Sequence, residues 1–191
     1  RTGRLPVVRT KERFSATFSC AEGVGAYQIE VTASTEKRGP QILANFPVHC
    51  GVDPPSSLAI AAPGPVSIPK DLDKAARRML ELANVARKRA GLAPLSWDDR
   101  LAAVARAHSE EMSAQNRIGH VSPTTGTLPD RLQRAGHIPV LAAENLGAGP
   151  SIEEIHRGLV GSPGHRANLL DPELTHLGIG LSVRKEPDAP S

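Results

Sequence analysis

From Lys70 onward, apolar residues recur at helical intervals. In "DLDKAARRMLELANVARKRAG", Leu72, Ala76, Met79, Leu82, Ala83 and Ala86 share one face, and the spacing predicts a helix ending at Gly91. "LSWDDRLAAVARAHSEEMSAQN" predicts a second helix, capped by Ser96 with Asp99 three residues on. Its stripe is Leu101, Val104, Ala105, His108 and Met112. "LPDRLQRAG" reads as a short helix with Pro129 in its first turn and Gly136 as its stop. "SIEEIHRGLVG" opens with Ser151 and Glu154, a capping-box pair. A Pro-Gly turn, the helical run "HRANLL" and the strand-like "LGIGLSV" follow. Residues 1–52 keep a different period. "FSATFS", "AYQIEVTAS" and "QILANFPVHC" alternate like strands, separated by the turn-like "AEGVG" and "TEKRGP".

These patterns divide the chain into a small β-rich module (1–52), a Pro/Ser/Ala linker (53–69) and a helical domain (70–191). Four short strands are too few for a sandwich, so the first module is expected to be partial. Several helices with few strands predict an α+β layered domain. The first residue is Arg and no signal peptide is visible, so any targeting segment is expected upstream. The terminal strand pattern has no following partner strand, which is expected beyond Ser191.

Composition narrows the function classes. Aromatics are 3% of the chain, so the core must be aliphatic. The net charge of +3 lies in the first module, with 7 Lys+Arg against 4 Asp+Glu in 1–52 and 16 of each in 53–191. A domain without basic excess or stacking aromatics argues against nucleic-acid binding. The clusters Arg77–Arg78 and Arg87–Lys88–Arg89 read as a solvated helix face. No apolar run is long enough to span a membrane. Cys20 and Cys50 each close a strand-like run. A disulfide between them, implying an oxidising compartment, is the preferred reading; two buried free thiols are the alternative.

Three residues stand outside the packing pattern. His120 lies in "RIGHVSP", Glu144 in "AAENLGAG" and His165 directly after the Pro-Gly turn. Each sits on a loop or element end, where sites are built. Two imidazoles and a carboxylate suit Zn²⁺ or another divalent cation, and equally suit metal-free acid–base work. They also suit a purely structural network, in which they hydrogen-bond loops to one another. His108, on its helix's apolar stripe, reads as a packed core histidine. His49, His137, His156 and His176 have no supporting constellation. Ser122 and Ser162 read as turn or capping residues rather than nucleophiles.

Together "ELANVARKRAGLAPLSWDDRLAAVARAHSEEM", "GHVSP", "DRLQRAG", "AENLGAG", "SPGHRANLL" and "LGIGL" resemble the CAP superfamily (SCP domain) over residues 75–183. The family comprises cysteine-rich secretory proteins, venom antigens and plant pathogenesis-related proteins, and the match is to its cysteine-poor bacterial type. The resemblance implies an α-β-α sandwich with a central antiparallel sheet and a cleft lined by two His and two acidic residues. Some members bind divalent metal there. His120, Glu144 and His165 match three of the four positions. The second acidic position falls near Ser162 here, just before the Pro-Gly-His turn, and Leu159 stands where the family usually has Trp. Glu153 and Glu154 are the nearest substitutes, although capping accounts for Glu154 better. Asn145 and Asn168 are expected to tie loops together.

The resemblance implies a secreted or cell-envelope protein. Its expected function is a non-catalytic binding module whose cleft holds a metal or a lipid, glycan or peptide ligand. The alternative is a metal-assisted hydrolase using His120, Glu144 and His165. Whether the site is catalytic, which ligand it takes and the oligomeric state stay open at this stage.

Overall fold

Helix α1 (Leu72–Arg89) forms as the apolar spacing predicts. The Asp71 side chain accepts from Lys74 N–H, and Ala75, Ala76, Met79 and Ala83 are buried. The computed structural model describes residues 5–11, 13–20, 23–37, 39–56 and 66–184; most of the predicted linker (57–65) and the tail from 185 lie outside them. Ahead of α1 come β1 (Val8–Arg9), β2 (Phe14–Ser15), β3 (Gly25–Thr35) and β4 (Gly39–Cys50). After it come β5 (Ser96–Trp97), α2 (Asp99–Ala114), α3 (Leu128–Arg134), α4 (Ile152–Gly161), α5 (Pro163–Leu169) and β6 (His176–Leu177). The chain is mixed α and β, with five helices and small sheets among the described residues.

The first module is chiefly one long antiparallel hairpin, β3 with β4, in register from Gly25↔Cys50 to Thr35↔Gly39. A bulge interrupts it between Val31 and Thr32. The Cys20–Cys50 disulfide closes its open end. Of the predicted strand "FSATFS", only Phe14–Ser15 pairs, with Val8–Arg9.

The helical domain is layered. Ala75, Met79 and Ile152 form a buried cluster between α1 and α4, joined by Leu82, Ile155, Ile179 and Leu181. The "LGIGL" segment supplies the middle layer. Its odd positions Ile179 and Leu181 face this cluster, while Gly178 and Gly180 press against α2. A Cβ at either glycine would overlap the α2 backbone at Leu101–Ala102 or Ala105–Arg106. Ser182 continues the track, with its hydroxyl on Ser109 O at 2.8 Å. This period of two packs α-helices on both faces of an extended strip. The resemblance implied an antiparallel central sheet. The regular ladder here is instead the parallel pair β5–β6, with Ser96↔His176 and Trp97↔Leu177.

Two further expectations need correction. Ser96 does not cap α2; its N–H is spent on Thr175 O at 2.9 Å in the ladder. Asp98 caps the helix, accepting from Arg100 and Leu101 N–H at 2.8 and 2.9 Å. Arg87 is not on a solvated face: it is 1% exposed. Its guanidinium donates to Ala93 O (2.8 Å), Leu169 O (3.0 Å), Asp171 O (2.8 Å) and Leu174 O (3.2 Å). It thereby clamps the loops after α1 and α5, whose carbonyls would otherwise be buried without partners. Arg77, Arg78, Lys88 and Arg89 are exposed as expected.

Candidate functional site

His120 follows a loop anchored from both sides. Its neighbour Gly119 accepts from buried His108 through Nε2 at 3.0 Å. His108 is 3% exposed, as a core histidine should be, and burial pushes its pKa below the usual value. Two residues on, the Ser122 hydroxyl donates to Glu111 (2.6 Å to Oε1) and accepts from Thr124 and Thr125 N–H. Ser122 is therefore a turn residue, and its oxygen is not available as a nucleophile.

Glu144 meets His120 directly, with Oε2 2.8 Å from His120 Nδ1. Its other oxygen is held by Arg131 of α3, Nη2 to Oε1 at 2.5 Å. Desolvation acts to raise the Glu144 pKa. The hydrogen bond from His120 and the Arg131 charge outweigh it, and the carboxyl sits below its ordinary value. An ionised carboxylate only accepts, so His120 Nδ1 is the donor and Nε2 is the nitrogen left to meet a ligand. Arg131 also donates to His120 O (3.1 Å) and Gly126 O (2.9 Å), gripping the loop as well as the carboxylate.

The α4–α5 turn brings in His165. Ser162 ends α4 and caps α5, its hydroxyl lying 3.4 Å from His165 N. Asn145 Nδ2 donates to His165 O at 2.9 Å, and Asn168 Nδ2 to Glu144 O at 3.3 Å and Asn145 Oδ1 at 2.9 Å. The two asparagines thus tie the Glu144 loop to α5, as expected of them. Burial lowers the His165 pKa, opposed by Glu30 and reinforced by His120.

No carboxylate of α4 fills the second acidic position. Glu153 reaches Arg78 of α1 at 3.7 Å, and Glu154 pairs with Arg157 on its own helix at 3.9 Å. The Glu154 N–H donates to Ser151 Oγ at 3.3 Å, the predicted cap. The carboxylate that meets Ser162 comes from the hairpin. Glu30 accepts from the Ser162 hydroxyl through Oε2 and from Gly164 N–H through Oε1, the latter at 3.1 Å.

Sequence reasoning missed Arg131, Glu30 and the buried role of Arg87. The signal for Arg87 was present, because it continues the buried series Ala76, Met79, Ala83 by one more helical step. Arg131 lies beside Leu132 on the buried face of α3, a position where an arginine needs a partner. Nothing local marks Glu30; only the packing of the hairpin brings it here.

The resemblance implies a divalent cation for this cleft, and the side chains as placed do not fit one. Both oxygens of Glu144 are engaged, leaving two imidazole nitrogens. Among the described residues no group of three or more His, Cys, Asp or Glu stands close enough to hold an ion.

The family profile described as "CAP: Cysteine-rich secretory protein family" matches residues 80–188, more than half of the chain. Uncharacterized protein YkwD of Bacillus subtilis (strain 168) is 36% identical over 115 residues, covering 60% of this chain and 45% of YkwD. Uncharacterized membrane protein YlbC of the same strain is 43% identical over 110 residues, covering 55% of this chain and 31% of YlbC. A solved extracellular protein containing an SCP domain, from Bacillus anthracis str. Ames, superposes with a TM-score of 0.56. It is 37% identical and covers 62% of this chain and 42% of that one. The chain thus spans less than half the length of these relatives.

Proposed function

The chain belongs to the cysteine-rich secretory protein (CAP) family, and from that premise we propose that it is a non-catalytic extracellular or cell-envelope binding module. Its cleft, lined by His120, Glu144 and His165, recognises a peptide, glycan or lipid headgroup without turning it over. One observation carries this reading. Glu144 is closed off between Arg131 and His120, so it serves to orient the imidazole and is not free as a ligand or general base. What faces the ligand is then a His120 ring fixed in orientation, with its Nε2 edge turned away from Glu144. The two serines near the cleft are spent on Glu111 and Glu30, and neither hydroxyl bonds an imidazole or amine of the kind that activates a serine nucleophile.

The compartment rests on three supports. The Cys20–Cys50 disulfide belongs to oxidising surroundings. The Bacillus anthracis SCP-domain protein is described as extracellular. No helix among the described residues is long and apolar enough to cross a membrane.

A metal-assisted hydrolase is the second reading. It draws on the His120–Glu144 hydrogen bond, since a carboxylate behind an imidazole also orients a catalytic base. Calorimetric titration of Zn²⁺ into chelator-treated protein separates the two. The binding-module reading expects no one-site isotherm tighter than about 1 μM. Tight, saturable binding that disappears in the His120→Ala/His165→Ala double variant overturns it and makes the cleft a metal centre.

A further inference from the structure

The amino-terminal hairpin does not stand apart from the candidate site; it is bonded to the elements that carry both histidines. Three contacts at separate points hold it there. In mid-strand, Glu30 of β3 accepts from Ser162 and Gly164 in the turn that presents His165. At the tip, Lys37 O accepts from Arg117 Nη2 at 3.0 Å. Beside the tip, buried Gly39 packs on the other histidine, where an added Cβ would sit 3.1 Å from His120 Cβ. The hairpin therefore packs beside His120 and bonds the turn that leads into His165.

The nature of these contacts matters as much as their position. No residue of β3 is buried, and in β4 only Gly39 and Cys50 are. Ile42, Leu43 and Phe46 are exposed. The hairpin consequently has no apolar core of its own, and an isolated two-stranded hairpin is only marginally stable. What keeps it together is the ladder and the Cys20–Cys50 closure. Two of the three contacts that keep it on the domain are polar. Interfaces of this kind open far more readily than apolar ones. The bulge between Val31 and Thr32 falls directly after Glu30, and bulges re-aim neighbouring side chains. Among the described residues no Lys or Arg pairs with Glu30. Its carboxylate depends on the Ser162 hydroxyl and the Gly164 amide, the stronger kind of hydrogen bond because the acceptor is charged.

We propose that the β3–β4 hairpin is a built-in cover of the cleft, latched by Glu30 on the Ser162–Gly164 turn, and that the disulfide makes it swing as one unit. A ligand reaches His120 and His165 by displacing it. This brings a carboxylate to Ser162, near the position the resemblance gives to the family's second acidic residue, but delivers it from a separate and removable element.

The test measures access to the histidines and requires no knowledge of the ligand. The parent, Glu30→Gln and Glu30→Ala proteins are treated with diethyl pyrocarbonate, and modification of each histidine is followed by peptide mass spectrometry. Loss of the latch should speed modification of His120 and His165 about tenfold, the effect of removing one charge-assisted hydrogen bond. Exposed His176 should be unchanged. If His120 and His165 react at the parental rate in both variants, the hairpin is not a latch. A parallel rise at core His108 also overturns the proposal, because the domain rather than the hairpin has then opened. Should Glu30→Ala lose the hairpin's structure, Glu30→Gln, which keeps the side-chain shape, decides.

Discussion

Arg131 and Glu144 lie 13 positions apart and meet as a nearly buried ion pair, Nη2 to Oε1 at 2.5 Å, with 4% and 15% of their side chains exposed. Removing one partner of such a pair strands the other. Arg131→Met should therefore destabilise the domain by about 3 kcal/mol or more. In thermal denaturation that is a fall of about 6–12 °C. The same variant frees one Glu144 oxygen and the His120 loop, so the His120 ring signals in NMR should broaden or double. An unchanged melting temperature would show that Glu144 finds another partner.

Acid should weaken the fold in two stages. Burial pushes His108, His156 and His165 below the usual histidine value. The unfolded chain takes up these protons near pH 6.5, while the folded chain takes them up only at lower pH. Their contribution is complete above about pH 6.5 and declines below it. Glu144 acts lower down. Desolvation alone would raise its pKa, yet His120 and Arg131 hold it below the ordinary value. Its contribution is complete above about pH 4.3 and is lost as the pH falls through the lowered value. Calorimetric melts between pH 8 and 3 should show a shoulder beginning near neutrality and a steeper fall below about pH 4. His108→Gln should flatten the upper part. A melting temperature constant from pH 7 to 5 contradicts the buried-histidine account.

Arg87→Met keeps the alkyl stem of α1's last buried residue and removes the donors to four carbonyls. Leaving those groups without partners should cost about 3 kcal/mol or more, again about 6–12 °C in thermal denaturation. Arg87→Lys should recover only part, because one ammonium cannot reproduce a planar fork. The exposed neighbour Arg89→Met should stay within about 2 °C of the parent. If Arg87 and Arg89 variants melt alike, the clamp is unimportant.

Gly178→Ala and Gly180→Ala each drive a methyl group into the α2 backbone. Either should cost about 3 kcal/mol or more, since helix backbone cannot give way as a side chain can. Gly158→Ala, on a helix with open space beside it, is the control and should leave the melting temperature unchanged or slightly raised. Tolerance of both strip substitutions would mean the strip does not lie against α2.

Local chemistry explains what was legible. The apolar spacing of Ala76, Met79 and Ala83 specifies α1, and Ser151 specifies where α4 begins. Each of these is decided within a few residues, so periodicity and capping suffice to read it. The Cys20–Cys50 pairing was legible too, there being only two cysteines. The motifs also singled out His120, Glu144 and His165 as residues outside the packing pattern, although their use stays a proposal.

Long-range contacts were not legible in the same way. Arg87 looked like one more charge in a basic cluster, and only the carbonyls of Leu169, Asp171 and Leu174, more than 80 positions away, make it a buried clamp. Glu30 and Ser162 are separated by 132 positions, and no pattern near either predicts that a hydroxyl will meet that carboxylate. Side-chain periodicity reports which face of an element is turned inward. It carries no information about which distant group waits there, because that depends on how whole elements pack against one another.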